Sequence, residues 1–174
     1  MKRNQVLMAV VIGLTACAPM QQNVKAPAET LPKDYVIDAT YDKVWSALVE
    51  RATEKSWPIK TIDKASGIIA TDFVILAEGP SAIGLRSIAY EPQTFLGTWT
   101  GARQTLNIFV SKLTDNQTRV KINAHYEGFE HNVSRQWVVW ESNGVNEQKI
   151  AQGIGSSLNT KWSPYVPNSQ ATGQ

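Results

Sequence analysis

Thr40-Tyr41-Asp42-Lys43-Val44-Trp45-Ser46-Ala47-Leu48-Val49-Glu50-Arg51-Ala52-Thr53-Glu54-Lys55 carries the clearest periodicity in the chain. Tyr41, Val44, Trp45, Leu48, Val49 and Ala52 fall at i, i+3, i+4, i+7, i+8 and i+11, which is one stripe of an α-helix. Thr40 or Asp38 is placed to cap the first amides, and Asp42 favours the positive end of the helix dipole. Lys43, Glu50, Arg51 and Glu54 lie mostly off the stripe and read as a solvated face. Trp45, at this spacing, reads as core.

A stripe of that width needs a covering layer, and the segments on either side supply strands. Residues 34–38 before the helix form a short one. After it, residues 57–62 and 67–75 are β-rich runs separated by Asp63-Lys64-Ala65-Ser66, a hairpin by composition and spacing. Ile68, Ile69, Phe73, Val74 and Ile75 are expected on a largely covered strand. Residues 78–101 then lose the pattern, with Gly79-Pro80, Gly84, Pro92, Gly97 and Gly101 around Tyr90, Phe95 and Trp99. A connection of this length is functional or hides short elements. Its aromatics read either as partner anchors or as rings tucked onto the sheet edge.

Residues 103–112 and 118–129 alternate cleanly. Leu106, Ile108 and Val110 form one face of the first, and Val120, Ile122, Ala124 and Tyr126 one face of the second. Asp115-Asn116 supplies the turn, giving an antiparallel hairpin expected at the end of the sheet. Trp137-Val138-Val139-Trp140 is a short apolar cluster, either another strand or a staple over the core, and Trp137 and Trp140 join Tyr90, Phe95 and Trp99 as candidate partner-binding residues.

Ser142-Asn143 signals a helix start, and Ile150, Ala151, Ile154 and Leu158 share one face of a second helix over residues 147–158. Gly153 and Gly155 each cost that helix up to ~1 kcal/mol relative to Ala. They make sense if it packs closely on the sheet; otherwise the helix frays after Gln152. The fold expected is an α+β domain of two layers, an antiparallel sheet of four or five strands with two helices on one face, spanning residues 34–162 and followed by a disordered tail over 163–174.

The order of elements, with Tyr41, Val44, Trp45 and Leu48 on a helix after a short strand, then Trp57-Pro58-Ile59, then residues 63–67 leading into a strand, resembles the helix-grip domains of the BamC family of outer-membrane assembly lipoproteins and related small lipoproteins. The stretch from Ser142 through Gly144 and Glu147 to Ile150 is similar to the start of their final helix. The resemblance implies a helix-grip fold and a role as an accessory subunit. BamC carries two such domains, whereas this chain has room for one.

The N-terminal residues point to the same compartment. Lys2 and Arg3, an apolar run over residues 6–14 and the small Thr15-Ala16 precede Cys17, which is the pattern of a secretory signal. The run is about half the ~20 residues of a membrane-spanning helix. Leu14-Thr15-Ala16-Cys17 resembles the lipobox of bacterial lipoproteins, and the resemblance implies diacylglyceryl transfer to the Cys17 thiol, cleavage between Ala16 and Cys17, and acylation of the new amine. Several acyl chains anchor stably, since each buried methylene contributes ~0.8 kcal/mol. Ala18 stands where an Asp would favour inner-membrane retention, so the expected location is the outer membrane, lipid-anchored and facing the periplasm. Residues 17–33 read as an acylated cysteine and flexible tether, which as a coil spans about 22 Å.

Charge and cysteine content narrow the function. Loss of residues 1–16 removes Lys2 and Arg3, so 17 basic residues become 15 against 15 acidic ones. A neutral mature chain gives no support to nucleic-acid binding. Cys17 is the only cysteine, so the fold rests on core burial rather than disulfides. His125 and His131 are not at helical metal-ligand spacing, and no metal or other cofactor beyond the covalent lipid is expected. Ser134 lies near His131 without a nucleophile signature, so no catalytic residue is assigned. The favoured reading is a non-enzymatic outer-membrane lipoprotein that binds another envelope protein as an accessory or assembly subunit. The alternatives are a lipid or small-molecule binder with a helix-grip cavity, and an envelope hydrolase centred on His125 or His131.

Overall fold

The computed structural model of the chain describes residues 30–93 and 97–167. The signal segment, Ala16, Cys17, most of the tether and Phe95 lie outside the described residues. The elements are β1 (Asp34–Ile37), α1 (Tyr41–Glu54), β2 (Ile59–Asp63), β3 (Ile68–Thr71), β4 (Val74–Glu78), a 3-10 helix (Gly79–Ser87), β5 (Ala89–Tyr90), β6 (Trp99–Thr114), β7 (Gln117–Glu130), β8 (Gln136–Ser142), α2 (Val145–Ser157) and β9 (Trp162–Pro164).

The class is α+β, a mostly antiparallel sheet with two helices, but the sheet has nine strands rather than four or five. Its spine is the β6–β7 hairpin. It lies at the centre of the order β2-β3-β6-β7-β1-β9, not at the end of the sheet as its sequence suggested. These two strands are long enough to take different neighbours on each half. Near the Asp115-Asn116 turn, β3 flanks β6 and β1 flanks β7. On the far half β4 takes the edge of β6 and β8 that of β7, with β5 added outside β8. The expected single strand over 67–75 is thus two, β3 and β4. The long connection over 78–101 contains the 3-10 helix, β5 and the start of β6.

The alternation of β6 and β7 decides which face is covered. Leu106, Ile108 and Val110 with Val120 and Ile122 point to the helices, where they meet Val44, Trp45 and Leu48 of α1 and Ile150, Ala151 and Ile154 of α2. Trp45 is 6% exposed, as its spacing required. Burying each large side chain of this set is worth about 1.5–3 kcal/mol. A second, smaller core lies on the far half, where Leu85, Ala89, Trp99, Ala102, Tyr126 and Trp140 pack together. Trp99 takes the tucked-in alternative rather than the partner-anchor one, and Tyr126 lies on the face of β7 expected to be covered.

Local capping differs from expectation. Thr40 is the N-cap of α1 by its backbone but makes no side-chain cap bond, and Asp38 accepts instead from Gln117 Nε2 at 2.9 Å. At α2 the cap is Gly144 in a left-handed conformation, φ 84°. A side chain there would also strike the Leu31 carbonyl, so glycine is required twice over. Ser142 Oγ and Asn143 Oδ1 each accept a backbone N–H, from Gly144 and Val145, at 3.1 Å. Further along α2, Gly153 admits Arg51 of α1 and Gly155 admits Trp162 of β9, so the close packing is against those neighbours.

The folded unit extends beyond residues 34–162 at both ends. Leu31 N donates to Asn143 O at 2.9 Å and Ile122 N to Lys33 O at 2.8 Å, which ties the end of the expected tether to the sheet. Ser163 and Pro164, assigned to the tail, pair with Val36 and Tyr35.

Candidate functional site

Among the described residues, one face of the sheet is covered by the helices and the other is not. On the uncovered face, Ile75 of β4, Arg103 of β6, Glu127 of β7 and Val139 of β8 stand in register across four strands. Ile75 and Val139, at its ends, are 54% and 55% exposed. The expectation of a covered strand fails at Phe73 and Ile75, which are 40% and 54% exposed because neither helix reaches this side of the sheet.

Arg103 organises the patch. Its guanidinium lies 3.9 Å from the Phe73 ring centroid and 4.1 Å from that of Trp137, a cation held between two aromatic faces. The same group ion-pairs with Glu127 Oε2 at 2.5 Å, and Glu127 Oε1 meets His125 Nε2 at 3.1 Å. Burial pushes the Glu127 carboxyl up, but the bonds from His125 and Arg103 outweigh it and leave the group below the usual carboxylate range. Trp137 is fixed from below as well. Its ring lies across Gly101, where a β-carbon would come within 3.1 Å, and packs edge-on against Phe129 at 5.5 Å between centroids. The result is a platform of Phe73, Arg103, Trp137 and Phe129, flanked by Ile75 and Val139.

The turn beside it is equally fixed. Glu130 is buried, and its carboxylate accepts the N–H groups of Asn132, Val133 and Ser134 and the Ser134 hydroxyl. Those bonds, the Ser134 amide foremost, hold its pKa at about 2 against the opposing effect of burial. The turn therefore presents Val133, 69% exposed, from a rigid base.

The residues singled out in the sequence divide unequally. Trp137 belongs to the platform. Trp99 and Trp140 do not, since they are 6% and 1% exposed and pack edge to face with centroids 4.9 Å apart. They are core, not contact surface. Tyr90 sits in β5 with its hydroxyl 3.4 Å from Thr30 Oγ1, away from the platform. Val139 lies within the Trp137-to-Trp140 cluster that the sequence offers as a contact region, whereas Phe73, Ile75, Arg103 and Glu127 lie outside the expected contacts. The alternation of Phe73 and Ile75 with Val74 was the available signal, but reading it required knowing that β4 leaves one face bare.

Among the described residues no group of three or more His, Cys, Asp or Glu could hold a metal ion. The Ser134 hydroxyl donates to the Glu130 carboxylate at 2.9 Å, and the His131 amide donates to Thr98 O at 2.8 Å. Among the described residues no helix is long and apolar enough to cross a membrane. No protein-family model matches the chain, and no curated protein matches it.

Proposed function

We propose that the chain is a lipid-anchored envelope protein without enzymatic activity, an accessory or assembly subunit that docks another envelope protein on the bare face of its sheet. In this reading the Cys17 thiol and amine carry the acyl chains, the protein resides on the periplasmic side of the outer membrane, and the α+β domain is of helix-grip type.

The observation that carries the docking role is the platform of Phe73, Arg103, Trp137 and Phe129 between exposed Ile75 and Val139. Aromatic side chains and arginine dominate the energetic centres of protein interfaces, and side chains already locked in place lose little entropy on binding. The internal Arg103–Glu127 pair makes this centre electrically balanced, so its fit is to an apolar partner surface. The cavity alternative has less support, because Trp45, Leu48, Ile150 and Ile154 fill the space between helices and sheet.

A photo-crosslinking residue at Ile75, in cells expressing the full chain, tests the docking role. A specific envelope protein should be captured from Ile75, lost when Arg103→Ala is added, and absent when the probe is moved to exposed Lys43 on α1. Equal capture from both positions would refute docking on this face. Anchoring is tested separately: Cys17→Ser should move the protein from the detergent phase to the aqueous phase.

A further inference from the structure

Among the described residues β2, β4, β9 and the first part of β8 each leave an edge of the sheet open. Open edges invite pairing with another chain, and proteins blunt them with bulges, prolines, lysines or short length. β2 has Lys60 at a register shift between Ile59 and Thr61, β4 has a shift between Ile75 and Ala77, and β9 is three residues long and ends at Pro164. β8 has no such device. Residues 136–140 run in unbroken register against β7 and read Gln-Trp-Val-Val-Trp.

The direction of the free backbone groups follows from the next bond along. Asn143 N donates outward to Ile88 O at 3.2 Å, so strand alternation points the peptide groups of Val139 and Trp137 to that same side. β5 covers only Ser142 and Glu141. Continuing its register would set Pro92 opposite Val139, and proline has no N–H to give. Among the described residues, the amides and carbonyls of Trp137 and Val139 have no partner on that side.

We propose that β8 pairs antiparallel with β8 of a second copy of this chain, about a two-fold axis through Val138. The sequence around Val138 is complementary to itself in that register. Trp137 falls opposite the second copy's Val139, and Val139 opposite its Trp137, both on the bare face, an aromatic against a β-branched residue twice over. Trp137 and Val139 then exchange four backbone hydrogen bonds with the second copy. Arg135 and Glu141 bracket the strand with opposite charges, both exposed and neither in an ion pair among the described residues. The two-fold brings each Arg135 to the end of the ladder that holds the other copy's Glu141. The pairing makes one sheet of two protomers and joins their two platforms edge to edge. It does not depend on what docks there.

Val138 meets its own counterpart at a non-hydrogen-bonded position, where antiparallel Cα atoms stand about 4.5 Å apart, within the reach of a disulfide. Val138→Cys in the full chain, oxidised mildly in intact cells, should give a disulfide dimer about tenfold stronger than Val133→Cys, because pairing raises the effective concentration of the two thiols. Adding Val139→Pro, which removes an outward N–H and no hydrogen bond to β7, should abolish the Val138→Cys dimer while the monomer still unfolds in one cooperative transition. A Val138→Cys dimer no stronger than that of Val133→Cys, or one that survives Val139→Pro, overturns the proposal. A mixed disulfide with a different protein in place of the homodimer overturns it in favour of a foreign strand on the same edge.

Discussion

The indole Nε1 of Trp140 lies 2.6 Å from where a β-carbon on Gly128 would stand, and the Trp99 ring lies 2.9 Å from the same point. Gly128 on β7 is therefore the floor on which the second core is laid. Neither indole can retreat, since Trp99 and Trp140 are both buried and packed on each other. Gly128→Ala should destabilise the domain by about 1–3 kcal/mol, the usual cost of overpacking. Gly84→Ala, where nothing lies within 4 Å, serves as the control in the same denaturant titration and should be near neutral.

The larger core makes the opposite kind of prediction. Trp45 sits among Tyr41, Leu48 and the strands beneath α1, and stacks on the Tyr41 ring with centroids 6.1 Å apart. Trp45→Ala should cost about 3–5 kcal/mol, transfer energy plus the cavity left behind. An unchanged melting temperature would contradict its placement.

These three tryptophans show what the sequence made legible. Trp45 could be placed because five apolar neighbours repeat with it at helical spacing, and β6 and β7 could be placed because their period is two. Trp99 and Trp140 could not. Their partners Leu85, Ala89 and Tyr126 come from separate stretches of chain, and no local period links them. The hairpin could be recognised but not its central position, because strand neighbours are chosen by long-range packing. The platform had the same difficulty. Arg103 meets Phe73 and Trp137 only because β4 and β8 both settle on the far half of the spine.

Arg103 and Trp137 should be energetically coupled. A double-mutant cycle of Arg103→Ala and Trp137→Ala, read by denaturant unfolding, should give a coupling of about 0.5–2 kcal/mol. Arg103→Lys keeps the charge but loses the planar group that stacks between two rings, so it should recover only a minor part of the loss. Additive effects would mean that the stack contributes nothing to the stability of the face.

Tyr126 predicts a gain rather than a loss. Its hydroxyl is buried with no partner in hydrogen-bond geometry; Asn146 lies near enough to oppose the rise in its pKa, but its amide donates to Gln104 Oε1 at 3.2 Å. Burial first, then the charge of Glu147, pushes its phenol well above the ordinary value and that of Tyr35 up to about 12. A raised folded pKa gives stability that is complete below the unfolded value of about 10 and is lost as pH climbs past it. Tyr126→Phe should be neutral or stabilising by up to ~1 kcal/mol at neutral pH and should shift alkaline unfolding upward. A loss above ~1 kcal/mol would mean that the hydroxyl is bonded after all.

Glu130 carries the acid side. Its carboxylate accepts from Asn132 N at 2.8 Å, Val133 N at 2.9 Å, Ser134 N at 2.5 Å and Ser134 Oγ at 2.9 Å, and so holds the turn beside the platform. The folded pKa of about 2 lies below the ordinary carboxyl value, so the ionised form is bound preferentially by the fold. The stability it contributes is fully present above an unfolded pKa of about 4.3 and is lost as pH falls through the folded value. Glu130→Gln leaves one carbonyl oxygen to serve the amides and no charge. Its melting temperature should fall below that of the unsubstituted chain at pH 7, and the gap should narrow as the pH is lowered toward 2, where the native carboxyl protonates too. A gap that stays constant over this window would show that Glu130 is not ionised in the folded protein.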